Sequence, residues 1–266
     1  MPLIQVEDIV FNCSLSGQED SPQMVFISGY TCDINFWLPV ANALQETHRI
    51  LLFDNQGINK TTDNNSPLTI EVMAENISKL LKKLEFRQAI IVGFAMGSSI
   101  ALRLAYDYPL LAKKLILLSP AITWSTQSFQ IIEQLIELRQ KKDLNGYFSL
   151  LYDTAFGSDF KASISKNNFI EDAQAAPFTQ TLNDQLRQAN ALKSFDSSTW
   201  LNKLDVECVI LSPIEDQFAF PKDSKELASH VRGKYISIPC GHAALAEKPE
   251  AIIELCKQYS KFNSIF

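Results

Sequence analysis

Residues 93–102, GFAMGSSIAL, have the spacing of a turn that exposes one side chain for chemistry. In the frame G-x-A-x-G, small residues flank the central position, as is required where a strand turns sharply into a helix and lifts that side chain above the sheet. A serine there would be a nucleophile, but Ala95 has no oxygen and no dissociable proton. The pentapeptide alone is equally compatible with an ordinary strand-to-helix turn.

Two further residues have the chemistry that would assist a nucleophile. Asp216 lies in LSPIEDQFAFP and His242 in IPCGHAALAEKP, each directly after an apolar run. A carboxylate can orient an imidazole and stabilise its protonated form, while the imidazole acts as general base. Taken singly, the aspartate is more simply a turn former and the histidine a loop side chain. Their order along the chain, nucleophile position, acid and then base, favours acyl-transfer chemistry.

Backbone N–H groups would complete such a site by stabilising an oxyanion. The loop SGYTCDINFW follows the first long apolar run, and we expect the N–H of Tyr30 to face the oxyanion. The N–H of Met96, in the first turn of the next helix, is the expected second donor. Ser28, Gly29 and Phe94 are expected to border the substrate. The loop alone would also be explained as an ordinary strand end.

Apolar runs of strand length alternate with helical patterns along most of the chain. The runs are QMVFISG, RILLFDNQG, AIIVGF, LAKKLILLSP, VECVILSP and KYISIPC. Because parallel strands covered on both faces lose their polar alternation, this order predicts a parallel α/β sheet with right-handed crossovers. Two short alternating segments near residues 4–6 and 9–14 predict an N-terminal hairpin, and a helix is expected from about residue 247 to 259.

Residues 123–200 interrupt the alternation with helical patterns alone. We predict a helical cap there, between two parts of one core at 1–122 and 201–266. An insertion at this point would lie over the carboxyl edge of the sheet, where open α/β folds bind ligands. Most aromatic residues of the cap should pack it onto the core, and some should line an apolar pocket. Those expected to contact the substrate are Trp124, Phe148, Tyr152 and Phe156.

Composition narrows the class of protein. The 266 residues carry a net charge of −6 and show no basic stripe, which argues against a nucleic-acid partner. The five cysteines are scattered, as expected of free thiols in a reducing compartment. No leader-like segment and no long apolar run is evident, so a cytoplasmic protein without a membrane partner is expected. The three histidines are dispersed, and we expect neither a metal nor a cofactor.

The motifs together resemble those of the α/β-hydrolase superfamily, of the cap-bearing serine esterase and lactonase type. SGYTCDINFW resembles its H-G-x…W loop, FDNQGINKT its D-x-R-G-x-G-x-S turn, GFAMGSSIAL its G-H-S-M-G-G-x-x-A elbow, and GHAALAEKPE its G-H-x-x-x-x-E-x-P ending. The resemblance implies the α/β-hydrolase fold: a mostly parallel eight-stranded sheet flanked by helices, with a helical cap inserted after strand 6. It also implies a Ser-His-Asp triad.

The chain departs from the family at Ala95, where the family has serine, and at Ser28 and Gln56, where histidine and arginine are usual. With serine at position 95, we expect hydrolysis of a carboxylic ester, thioester or lactone with a small to medium apolar acyl group. As written, the chain should be essentially inactive. An introduced substitution explains the alanine best, because the acid and the base persist as a set. The alternative is a natural, non-catalytic ligand-binding or regulatory protein.

A protein partner is a further alternative. Four cap lysines could meet an acidic acyl carrier protein, although a solvated charged face is the simpler explanation. They are Lys141, Lys142, Lys161 and Lys166.

Overall fold

The fold is built around one sheet of eight strands, which the computed structural model describes within residues 1–176 and 178–260. The strands are β1 (Leu3–Val6), β2 (Ile9–Ser16), β3 (Gln23–Ile27), β4 (Arg49–Phe53), β5 (Ala89–Phe94), β6 (Ala112–Leu118), β7 (Glu207–Pro213) and β8 (Lys234–Ile238). Their spatial order is β1-β2-β4-β3-β5-β6-β7-β8. The pairs β1–β2 and β2–β4 are antiparallel, and all other pairs are parallel. The predicted mostly parallel sheet is therefore confirmed.

Burial explains why these segments are strands. All six residues of β5 are buried, and the last four residues of β3, β4 and β6 are buried as well. Such strands carry apolar side chains on both faces because helices cover both faces of the sheet. The predicted N-terminal hairpin is also present, with Glu7 in the left-handed conformation (φ 50°) at its turn.

Two helical layers flank the sheet. The helices of the core are α1 (Leu38–Leu44), α2 (Ile70–Lys83), α3 (Met96–Asp107), α9 (Pro221–His230), α10 (Ala244–Glu247) and α11 (Pro249–Ser260). Side chains of α2, α3 and α9 join one hydrophobic core, and those of α1, α10 and α11 join a second core on the opposite face. Each fully buried leucine or isoleucine in these cores contributes about 1.5–3 kcal/mol relative to an exposed one.

The predicted C-terminal helix is present as α11, which begins two residues later than expected. The short α10 precedes it, with Lys248 non-helical between the two (φ −137°, ψ 54°). Pro249 explains the break, because a proline ring disfavours the helical conformation of the residue before it. Residues 261–266, at the end of the second predicted part of the core (201–266), lie outside the described residues.

Within the described residues, five α-helices lie between β6 and β7 along the chain, and we call residues 123–200 the helical segment. They are α4 (Thr126–Gln140), α5 (Leu144–Ala155), α6 (Ser158–Ser163), α7 (Lys166–Ala175) and α8 (Leu182–Lys193). Side-chain oxygens of Ser125, Asp143, Ser165 and Thr181 cap α4, α5, α7 and α8, and each such cap contributes about 1 kcal/mol. An isolated antiparallel bridge between Thr123 and Asp196 closes the base of the segment. Within the described residues, no helix is both long and apolar enough to cross a membrane.

Candidate active site

Ala95 joins β5 to α3 in a left-handed conformation (φ 49°, ψ −112°). A non-glycine residue held there costs about 1–3 kcal/mol, which the surrounding contacts must offset. One of these contacts is the hydrogen bond from the Ala95 N–H to the Leu118 carbonyl (2.9 Å). A Cβ on Gly93 would lie 2.5 Å from the Gly97 carbonyl oxygen, and one on Gly97 would collide with the Ile27 carbonyl. The glycines on both sides of position 95 are thus required by the turn.

His242 and Asp216 form a hydrogen-bonded pair. The His242 Nδ1 lies 2.9 and 2.8 Å from the two Asp216 carboxylate oxygens, and the aspartate side chain is fully buried. The N–H groups of Phe218 and Ala219 also donate to Asp216 Oδ1 (2.8 and 2.9 Å), which fixes the carboxylate. Because the carboxylate is an acceptor, Nδ1 carries the proton and Nε2 is left as the basic atom. The rings of Phe94 and Phe218 flank the imidazole at 4.9 and 4.8 Å.

The histidine loop, which follows β8, is clamped to the end of α5. The N–H of Ala243 donates to the Ala155 carbonyl (2.9 Å), and Glu247 Oε1 accepts from the N–H groups of both Gly157 (3.1 Å) and Gly241 (2.8 Å). A Cβ on Gly241 would lie 2.5 Å from the Gly157 nitrogen. The helical segment and the histidine loop therefore touch through backbone atoms at a point that only glycine allows.

Two backbone N–H groups are available to bind an oxyanion. Those of Tyr30 and Met96 donate to no acceptor within the described residues, and both residues line the cavity above position 95. The Met96 N–H also lies at the positive end of the α3 dipole. Gln188 of the helical segment links two loops of the core. Its Oε1 accepts from the Thr31 N–H in the loop after β3 (3.3 Å), and its Nε2 donates to the Gln56 carbonyl in the loop after β4 (2.8 Å).

One apolar cavity of about 200 Å³ joins these groups. Position 95, His242, Tyr30 and Met96 all line it, together with Phe94, Trp124 and Phe156, as the sequence led us to expect. The remaining lining residues were not expected from the sequence. They are Thr31, Cys32, Phe36, Ile132, Leu135, Tyr147, Leu151, Ala155, Leu192, Phe218 and Ala243.

Ser28 and Gly29, which we expected to contact the substrate, lie outside the cavity lining. The Ser28 side chain is fully buried and donates weakly to the Asp33 carbonyl (3.4 Å). A Cβ on Gly29 would lie 2.8 Å from the Phe94 ring, so this glycine provides room for an aromatic side chain that does line the cavity.

Phe148 and Tyr152 also lie outside the lining, because α5 turns another face toward the cavity. Its lining residues are Tyr147, Leu151 and Ala155, spaced by four residues and thus on one side of the helix. Phe148 instead stacks on Phe178 (5.9 Å), while the Tyr152 hydroxyl donates to the Ile164 carbonyl (2.6 Å). Because α5 is apolar on more than one side, its spacing in the sequence did not distinguish the side that faces the cavity.

Within the described residues, neither the neighbouring serines nor Cys32 offers a nucleophile at position 95. Ser98 Oγ is buried and donates to the carbonyls of Gly93 (2.8 Å) and Leu118 (3.0 Å), while Ser99 Oγ accepts from Trp124 Nε1 (3.2 Å). Cys32 does line the cavity, but burial raises the pKa of its thiol to about 12, so it is not a thiolate at neutral pH. Within the described residues, no group of three or more His, Cys, Asp or Glu side chains could hold a metal ion.

Known proteins with similar sequences and structures share this architecture. The sequence profile of the alpha/beta hydrolase fold matches residues 22–249. A relative from Stutzerimonas stutzeri, named "Putative carbamate hydrolase RutD", is 27% identical over 240 residues, which covers 88% of this chain and 89% of the relative.

Solved structures agree at the level of the fold. The α/β hydrolase MGS-M2, from a Medee basin deep-sea metagenome library, superposes with a TM-score of 0.91 at 21% identity and covers 100% of this chain and 99% of its own. The enol-lactonase from Burkholderia xenovorans LB400 gives a TM-score of 0.86 at 17% identity, over 97% and 99% of the two chains. With most of its length matched by the family profile, the chain belongs to the α/β hydrolase fold family.

Proposed function

We propose that this chain is the scaffold of a serine hydrolase for carboxylic esters, thioesters or lactones, with alanine in place of the nucleophile. One observation carries the proposal: the basic Nε2 atom of the part-buried His242, which is hydrogen-bonded to the buried Asp216, belongs to the same cavity as the strained position 95 and two N–H groups that have no acceptor within the described residues. A plain strand-to-helix turn would not need this arrangement.

With serine at position 95, each group has a defined role. His242 takes the hydroxyl proton as the serine oxygen attacks the carbonyl carbon, and Asp216 stabilises the resulting imidazolium. The N–H groups of Tyr30 and Met96 bind the oxyanion. The imidazolium then gives its proton to the leaving group, and water activated by His242 releases the acid.

With alanine at position 95, the chain should still bind the substrate but should lose turnover. Losing the nucleophile of such a triad lowers kcat by about 10⁶, while the cavity and the N–H donors remain. The chain should therefore bind esters and turn them over at a negligible rate. An introduced substitution remains our preferred origin for Ala95, because the acid and the base are fully assembled. A serine codon at position 95 of the natural gene would establish this origin, and an alanine codon would refute it.

The decisive experiment is Ala95→Ser, assayed with p-nitrophenyl acetate and p-nitrophenyl butyrate. We expect a rate at least 10³-fold above that of the alanine form. The matched control is Ala95→Ser combined with His242→Gln, which keeps the new hydroxyl but removes the base and should lose the gain. An Ala95→Ser protein that folds but shows no gain would contradict the proposal. A p-nitrophenyl carbamate belongs in the same assay because of the name of the Stutzerimonas relative.

A second candidate is a non-catalytic ligand-binding protein on the same scaffold, and Ala95 itself is the observation that favours it. It predicts tight binding of a ligand and no gain from Ala95→Ser. An acyl carrier protein is not part of our proposal. Lys141 and Lys166 form ion pairs with Glu137 and Asp153 (2.5 and 2.6 Å), which favours a solvated charged face.

A further inference from the structure

Two apolar spaces meet at α4. The first is the cavity above position 95, and the second is a groove of about 170 Å³ between α4 and α8, which we call the outer groove. The floor of the outer groove consists of buried apolar residues of both helices, which are Phe129, Ile132, Ile136 and Ala189. At its rim, the exposed Glu133 and Lys193 form an ion pair (3.1 Å) that joins α4 to α8.

Ile132 separates the cavity from the outer groove. Of the lining residues that the structure describes, it alone belongs to both spaces, and it is only 3% exposed. Its neighbours on α4 are divided between the two, because Leu135 lines the cavity and Ile136 lines the outer groove. The same division holds on α8 for Leu192 and Ala189. We therefore call the Ile132 side chain the partition.

The partition is held in place. Ser128, one turn before Ile132 on α4, donates its hydroxyl to the Phe218 carbonyl in the loop that bears the acid (2.5 Å). An isoleucine in a helix is largely restricted to one χ1 rotamer, so its side chain does not swing aside readily. On the facing helix, Ala189 contributes only a methyl group to the outer groove. The bulk that closes the end of the cavity is thus that of Ile132.

We propose that Ile132 limits the length of the acyl group, so that the substrate is an ester of a short, uncharged, apolar acid. The inference rests on the proposed function for the reaction itself. An apolar cavity of about 150 Å³ holds one benzene molecule, so the 200 Å³ of this cavity leaves room for about six acyl carbons. Within the described residues, no Asp, Glu, Lys or Arg lines the cavity, which suits an uncharged acyl group.

The geometry of the proposed reaction directs the acyl group toward the partition. The oxyanion faces the N–H groups of Tyr30 and Met96, and the leaving group faces His242, which protonates it. The rings of Phe94 and Phe218 occupy the space beside that imidazole. The acyl chain is the remaining substituent of the reacting carbon. It therefore extends away from His242, toward the wall that α4 and α8 contribute.

The test is the chain-length profile of Ala95→Ser with p-nitrophenyl acetate, butyrate, hexanoate, octanoate and decanoate, which share one leaving group. Each methylene that is newly buried in apolar surroundings should raise kcat/KM about fourfold, whereas one that meets a wall should not. We expect kcat/KM to rise to about hexanoate and then to fall at least tenfold between hexanoate and decanoate.

Variants made in the serine form assign the limit to the partition. Ile132→Ala opens the cavity into the outer groove, so kcat/KM should keep rising through decanoate. Ile132→Val shortens the side chain by one carbon, should move the fall to a longer ester, and tests the limit if the alanine variant does not fold. Ile136→Ala removes the same atoms from the outer groove alone and should keep the original profile. Leu135→Ala widens the cavity without reaching the outer groove, so the fall at decanoate should remain.

Binding to the alanine form at position 95 is a second readout, because it does not require catalysis. Methyl hexanoate and methyl decanoate are titrated against the parent chain and against Ile132→Ala. Binding is followed by tryptophan fluorescence, since Trp124 lines the cavity. We expect the parent to bind methyl hexanoate more tightly, by about tenfold, and Ile132→Ala to bind methyl decanoate more tightly.

Three results would overturn the proposal: a serine form that hydrolyses decanoate as well as hexanoate, Ile132 variants that fold and keep the original profile, or an Ile136→Ala profile that changes as much as that of Ile132→Ala. Failure of the proposed function would look different. In that case Ala95→Ser would leave p-nitrophenyl acetate and butyrate unhydrolysed, and the binding preference of the alanine form would still report on the partition.

Discussion

Replacing Arg187 by methionine should loosen the attachment of α8 to the loop that follows β4. The guanidinium donates to Asp63 Oδ2 (2.9 Å), to Asp184 Oδ1 (2.8 Å) and to the Ser66 carbonyl (2.6 Å). The side chains of Arg187 and Asp63 are only 10% and 4% exposed. This ion pair thus joins the helical segment to the core in a nearly dry environment.

Those exposures set the expected magnitude. Removing one partner of a buried ion pair costs about 3–5 kcal/mol, because the remaining charge stays buried. Methionine preserves the apolar stem, and Asp63 retains hydrogen bonds from Gln56 Nε2 and the Asn65 N–H (both 2.9 Å). We therefore expect Arg187→Met to lower the free energy of unfolding by about 3 kcal/mol, at the lower end of the range.

The assay is urea unfolding monitored by tryptophan fluorescence, with midpoints and slopes compared among variants. Lys193→Met is the matched control on the same helix, because Lys193 and Glu133 form an ion pair with side chains 62% and 59% exposed. Such an exposed pair contributes less than about 1 kcal/mol. Combining Arg187→Met with Asp63→Asn should cost less than the sum of the single changes, since neither charge is then left alone.

The Arg187–Asp63 ion pair also makes the free energy of unfolding depend on pH. Burial alone would raise the pKa of Asp63, but hydrogen bonds from Arg187 and Gln56 hold it below the ordinary value. A lowered pKa in the folded state means that the stabilisation is present above about pH 4 and is lost as the pH falls through the folded-state pKa. The difference between parent and Arg187→Met should shrink in acid. If Arg187→Met costs no more than Lys193→Met at pH 7, the assigned role of the buried pair is refuted.

Three further changes test other parts of the structure. Ala95→Gly should stabilise the protein by about 1 kcal/mol, because it relieves the strain of the positive φ at this position. Ala101→Gly, in the middle of α3, should destabilise it by at least about 1 kcal/mol. Changes of the same sign in the thermal unfolding midpoints of the two variants would contradict this reasoning. Burial raises the pKa of Glu247 above its ordinary 4.5, so its stabilising contribution is present below that pH and lost as the pH rises. The stability of the parent relative to Glu247→Gln should therefore fall as the pH rises above about 4.5, and an increase in that stability would contradict the assigned effect of burial. Gln188→Leu, made in the serine form, should lower kcat about tenfold or more, because it releases the loop after β3. Asn190→Leu, on the exposed side of α8, should leave kcat unchanged. Equal kcat values for the two variants would show that Gln188 does not position that loop.

The sequence was sufficient for the parts of the fold that depend on local patterns. Apolar runs predicted the strands, and the glycines around position 95 predicted the turn, because both are set by short-range burial and sterics. The catalytic roles of Asp216 and His242 stay predictions until they are assayed. Their convergence could be anticipated because parallel strands end at one edge of the sheet.

The cavity lining could not be predicted as well, and α5 shows why. Tyr147 and Leu151 line the cavity, whereas Phe148 packs against Phe178 in the loop before α8 and Tyr152 against Phe169 of α7. A helix that is apolar on more than one side does not reveal from periodicity which side faces a ligand. Residues such as Leu192 and Phe218 join the lining from distant segments, and only their long-range packing brings them there.

Arg139 and Gln185 show a second limit of the sequence. They occupy ordinary positions of amphipathic helices, where such residues are usually solvated. Only the packing of α4 against α8 buries the Gln185 side chain and brings Arg139 within hydrogen-bonding distance of it.

The contact between Gly157 and Gly241 couples the position of the helical segment to the position of His242. A helical segment that swings outward at that point must pull on the loop bearing the imidazole, because the two backbones have no slack between them. In the proposed serine form, such a movement would carry His242 away from Asp216 and from position 95. Hydrolysis in that form would therefore require the helical segment to be seated on the histidine loop.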